Sequence, residues 1–113
     1  MAAWTAALIL SQAQARLGIT ATLGTVLTAA ANQAIASGWF YARVILNPDD
    51  DGTSATWFNE AAALCAVWFA CRALDPARLD VIEAARRDWE AAAKAIIDRR
   101  GRRGGALTGT FPT

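Results

Sequence analysis

The sequence predicts an all-α protein, a small bundle of about four helices around a central apolar helix, with an extended C-terminal tail. Three observations carry that reading. Apolar residues make up 55% of the chain, and much of that is alanine, the strongest helix former. Apolar residues recur at spacings of three and four in the flanking segments. Between them lies Trp57 to Leu74, WFNEAAALCAVWFACRAL, which has no polar face at helical spacing. A helix that is apolar all round must be buried on every side, in a core or in lipid. The uninterrupted run from Ala61 to Cys71 is 11 residues, and a membrane span needs about 20. The expectation is therefore a helix wrapped by other helices, with no membrane partner.

A chain of 113 residues is large enough for one domain with its own core. It divides into a helical bundle, 1–100, and a flexible tail, 101–113. The net charge of +1 argues neither for nor against a polyanionic partner. The start, MAAWTAALIL, lacks a basic leader region, so it reads as mature sequence of cytoplasmic origin.

Residues 1–10 fit a helix or an extended lead-in. Ser11-Gln12-Ala13-Gln14 has the form of a capping box, so a short helix is expected from there to Leu17. Gly18 is a suitable stop. The next helix is expected from about Thr22 to Ile45. Its stripe is Leu23, Leu27, Ala30, Ala34, Gly38, Tyr41 and Ile45. The small residues Ala30, Ala34 and Gly38 make a groove for the bulky central helix. Trp39 and Phe40 point off that stripe, either as a wide core face or as an exposed patch for another subunit.

Asn47-Pro48 ends the second helix. Asp49, Asp50 and Asp51 then form an acidic loop with Gly52. An EF-hand alignment fails, because its glutamate position is Phe58 and its second position is Pro48. A solvated acidic turn is the reading adopted. After the central helix, Asp75-Pro76 marks a turn. Asp80-Val81-Ile82-Glu83 is a second capping box, opening the last helix. Ile82, Ala85, Trp89, Ala92, Ala93 and Ile96 are its inner stripe. Glu83–Arg87, Arg86–Glu90 and Glu90–Lys94 are candidate i,i+4 pairs on its outer face. Gly101 is expected to end it, leaving a Gly-rich tail with Leu107 and Phe111.

The chemistry is mostly an absence. With no histidine, there is no Ser-His or Cys-His nucleophile system. No phosphate-binding glycine loop is present, and no carboxylates have the setting of an acid/base pair. An enzyme is not expected, nor a cofactor or metal. Cys65 and Cys71, six apart on one helix, do not face each other and read as small buried hydrophobes. What remains is interaction. Arg99, Arg100, Arg102 and Arg103 form a compact basic cluster, able to meet the helix dipole, nucleic-acid phosphates or an acidic protein surface.

The order of segments resembles a known family. LSQAQARLGI is followed by LTAAANQAIASGWFYARVI, a Pro/Asp/Gly loop, AAALCAVWFACRAL and RRDWEAAAKAIIDRRGRRGG. Across residues 9–105 this layout is similar to the head–tail connector proteins of long-tailed bacteriophages, also called adaptor or head-completion proteins. Helix order and length carry the likeness, with Leu17-Gly18-Ile19 and the Trp89, Ile96, Gly101 pattern. The alanine-rich helices and the number of tryptophans depart from the usual family pattern.

The resemblance implies a structural virion protein in the neck region, assembled in the host cytoplasm. It implies a self-assembled ring, usually dodecameric, between the portal and a neck, stopper or tail protein, with DNA passing non-specifically through it. The implied lateral contacts are Trp39, Phe40 and Arg43 on one helix, with Arg86 and Glu90 on the last. The tail, with the arginine cluster, Leu107 and Phe111, would dock on the portal or a neighbouring subunit. Asp49–Asp51 would line the channel and repel DNA. The alternative is a small helical nucleic-acid-binding or regulatory bundle using Arg99–Arg103.

Overall fold

The computed structural model describes residues 5–46 and 56–104, with side chains described for 5–46 and 58–98. It is a bundle of four helices: α1 Ala6–Leu17, α2 Thr25–Leu46, α3 Thr56–Leu74 and α4 Leu79–Gly104. No strand occurs among the described residues. The all-α class and the element order agree with the sequence expectation.

The apolar helix α3 is the centre. It packs on α1, α2 and α4, and most extensively on α2. Phe58, Ala62, Cys65, Ala66, Ala70 and Cys71 are wholly buried along it. Burying a side chain the size of Phe58 contributes about 2–3 kcal/mol. The helix is not sealed everywhere, because Leu64, Trp68 and Phe69 are half-buried. At its far end the Arg72 guanidinium lies 4.7 Å from the Phe69 ring centre, covering that ring with a cation.

One expected stripe has the wrong phase. The buried residues of α2 are Ala31, Ile35, Gly38, Ala42 and Leu46. Ala30, Leu27 and Tyr41 are exposed instead, and Ala34 is half-buried. Gly38 keeps its expected role. A Cβ built there would sit 2.9 Å from the Ala66 Cα and 3.1 Å from the Cys65 carbonyl oxygen. The two backbones therefore touch at this point, which only glycine permits.

Helix ends follow local hydrogen bonding, and several differ from expectation. The Thr5 hydroxyl accepts from the Leu8 N–H at 3.1 Å and caps α1. Ser11 and Gln14 thus lie inside that helix instead of opening it. Gly18 adopts φ 72°, and its N–H and that of Ile19 bond back to Ala15 and Gln14. This left-handed stop is the one anticipated. The Gly24 carbonyl accepts the Thr28 N–H, so α2 starts at Thr25, later than the expected Thr22. The Arg78 carbonyl accepts from Ile82, so α4 opens at Leu79. Asp80 falls in its first turn, and Glu83 turns to Arg86 instead of capping backwards. Gly101 does not end α4, which continues to Gly104.

Candidate functional site

A 22-residue helix in a small bundle normally shows water a charged face. The outer side of α2 does not. Val26, Ala30, Gln33, Ser37, Phe40 and Val44 are all exposed and alternate at spacings of four and three. Val26 is 83% exposed, Phe40 65% and Val44 51%. Arg43, beside this ridge, is the single charged residue of the helix. The ridge lies half a turn from the buried Ala31, Ile35, Gly38 and Ala42. The spacing itself is that of a helix-packing seam.

The expected aromatic patch divides in two. Trp39 is half-buried and meets Phe58 edge-on, with ring centres 6.0 Å apart. It belongs to the core, while Phe40 stands in solvent. Tyr41 turns toward α4, with its ring centre 5.8 Å from Phe69 and 6.3 Å from Trp89.

A second surface lies behind α3. There α1 and α4 diverge, leaving a groove of about 370 Å³. Leu64 and Val67 of α3 form its floor; Gln12 and Arg16 line it from α1; Ala92, Ala95 and Ile96 line it from α4. The Arg16 guanidinium donates to Asp88 at 2.7 Å, tying α1 to α4 beside the groove. Glu60 lies at its edge as an exposed carboxylate. The only sequence signal for this groove was the row of alanines on α4, which reads equally well as helix propensity.

The remaining expected site residues are placed unequally. Arg86 donates to Glu83 at 2.6 Å and to Glu90 at 2.8 Å, an arrangement internal to α4. The expected Arg86–Glu90 pair forms. Glu83 pairs with Arg86 instead of Arg87, and Lys94 with Asp98 instead of Glu90. Arg86 holds the Glu83 carboxyl below its usual range. Glu90 also lines a groove shared with Tyr41 and Ile45, so this charged face adjoins α2. The backbone of Arg99, Arg100, Arg102 and Arg103 is helical, part of α4. Asp49, Asp50, Asp51, Leu107 and Phe111 lie outside the described residues.

Both cysteines are buried and unpaired with each other. Burial pushes the Cys65 thiol up to about 12, opposed only in part by the Arg72 charge. Burial likewise raises Cys71, against the charge of Arg16. The groups of the α1–α4 groove offer apolar surface and a carboxylate, the materials of docking. No described helix is long and apolar enough to cross a membrane.

Comparison with protein-family models, curated proteins and solved structures finds no match for this chain.

Proposed function

We propose that this protein is a structural assembly subunit, a head-to-tail adaptor that forms a homo-oligomeric ring between a phage portal and the neck or tail. The observation that carries the reading is the exposed, nearly uncharged outer face of α2. Val26, Phe40 and Val44 in water cost free energy that a neighbouring subunit would recover. A ring also needs two different faces on each subunit, since a head-to-tail contact closes only that way. The resemblance in helix order and length to head–tail connector proteins supports the phage part of the reading. DNA passes through the ring without sequence reading, and the segment after α4 docks on the portal or an adjacent subunit.

Negative-stain images across a concentration series test this reading, together with co-sedimentation with the portal protein of the same genome. Rings with an open centre and portal binding are expected. Absence of both at every concentration would falsify it.

The second reading is a nucleic-acid-binding or regulatory bundle. Its support is the density of arginine in Arg99–Arg103, on helical backbone at the end of α4. It predicts binding to duplex DNA that falls steeply with salt and is lost when residues 99–113 are removed.

A further inference from the structure

We infer that the outer ridge of α2 seats in the α1–α4 groove of a second copy of this chain, so that copies associate head to tail. The inference gives the proposed ring its lateral contact and rests on that reading only for closure of the ring.

The two surfaces lie on opposite sides of the molecule. On α3, Cys65, Ala66 and Phe69 face Gly38 of α2. Glu60, Leu64 and Val67 face the groove. At 3.6 residues per turn these sets are about half a turn apart. The ridge in turn points away from α3 on the far side of α2. A ridge on one side and a groove on the other make a self-complementary unit that repeats without using the same patch twice.

The surfaces also match chemically. The ridge is apolar at both ends and neutral in the middle, at Gln33 and Ser37. The groove has a floor of Leu64 and Val67, Ala92, Ala95 and Ile96 on its α4 side and Gln12 and Arg16 on its α1 side, and Arg16 there is already neutralised by Asp88. The charge left on the groove is Glu60, and the one charge of α2 is Arg43. An incoming α2 antiparallel to α3 aligns these features. With Phe40 over Leu64 and Val67, a step of one turn brings Arg43 and Val44 to Glu60. That direction is also the one α2 takes against α3 within its own chain, where Gly38 meets Ala66 and both Leu46 and Phe58 lie in one cluster. Successive copies thus hold their α2 helices parallel, as a closed ring with its axis along α2 also does.

Arg86 and Glu90 are a poorer complement. Their charges are satisfied within α4, and they adjoin α2 on its own side of the bundle. The contact is small. A helix of 22 residues is about 33 Å long. At roughly 10 Å wide it covers on the order of 350 Å², less than half the area a standard interface buries per partner. A single contact is therefore weak, and association depends on concentration.

The test uses the full chain with Phe40→Glu, which spoils the ridge, and Ala95→Glu, which spoils the groove. Sedimentation velocity and light scattering are recorded over a concentration series, with circular dichroism to establish folding. The wild type is expected to associate and each variant alone to stay monomeric. An equimolar mixture of the two should give two-copy complexes and nothing larger, because one good ridge meets one good groove. If Ala95→Glu does not fold, the exposed Glu60→Arg replaces it as the groove variant. Loss of association in Phe40→Glu but not in the groove variant would mean ridge-to-ridge pairing and overturn the proposal. So would a wild type that remains monomeric throughout. Rings that persist in both variants would keep the adaptor reading and remove this contact; open filaments lost in both would keep the contact and remove the ring.

Discussion

The two faces of α2 are built from similar residue types and do different things. The inner face meets α3 through Ala31, Ile35, Gly38, Ala42 and Leu46, all buried. At Gly38 the helices approach until backbone touches backbone. The outer face carries Val26, Ala30, Phe40 and Val44 into solvent. Hydrophobicity alone does not distinguish them. Side-chain size does: small residues line the close approach at Gly38, and the one aromatic of the outer ridge, Phe40, stands exposed among the described residues. A face selected only for solubility would have collected charged residues, as the outer face of α4 has with Glu83, Arg86, Glu90 and Lys94.

Substitutions on either side of this helix separate the two roles. The largest effect is expected at Phe58→Ala, which empties a fully buried site against Trp39 of α2. About 3–5 kcal/mol of stability should be lost, read from urea unfolding. A loss below about 1 kcal/mol would mean that the packing between α2 and α3 is looser than described. Gly38→Leu comes next, at roughly 3 kcal/mol, because the added side chain drives into the Ala66 backbone and no rotamer relieves a Cβ contact. A variant as stable as the parent would place Gly38 away from α3.

On the outer face, Val44→Ser is expected to change unfolding stability by about 0.5 kcal/mol or less. Its self-association should weaken all the same. A large stability change would show that the residue is covered within its own subunit.

The smallest effect concerns the charged face of α4. Arg86 lowers the Glu83 carboxyl, chiefly through their hydrogen bond. A carboxylate with a depressed folded pKa contributes its stability above its usual value of 4.5 and loses it as the pH falls through the folded value. Glu83→Gln should therefore lower stability slightly at neutral pH and flatten the acid limb below about pH 4.5. Parallel acid limbs in parent and variant would remove this pairing from the account.

The fold class was legible because the central segment's composition admits few alternatives. No polar face over 11 residues forces burial, and too short a run excludes a span. The phase of α2 was not legible. A helix apolar on both faces gives periodicity nothing to lock onto, so the expected stripe was rotated toward the exposed side, reaching the outer ridge at Ala30. Gly38 was the exception, because a glycine in mid-helix has a steric reason for its position. Caps misled in a related way. Ser11 with Gln14 and Asp80 with Glu83 both fit a capping pattern, yet Thr5 and Arg78 precede them as the actual starts. Gly101 was read as a stop, but its sequence neighbours are consistent with helix and the helix continues past it. Of the candidate surfaces, Phe40 was visible in the sequence. The α1–α4 groove was not, since it exists only through the divergence of two helices joined at Arg16 and Asp88.

The burial of Cys65 has a practical consequence. Its side chain is buried in the cluster that holds Phe58 and Trp89, and burial pushes the thiol up to about 12. Alkylating reagents act on the thiolate, so in the closed bundle the sulfur is both shielded and unreactive. Its rate of labelling near pH 8 then measures how often the bundle opens. The chain in this way carries its own clock for native-state breathing, one that can be read with subunits free or assembled and without adding a reporter.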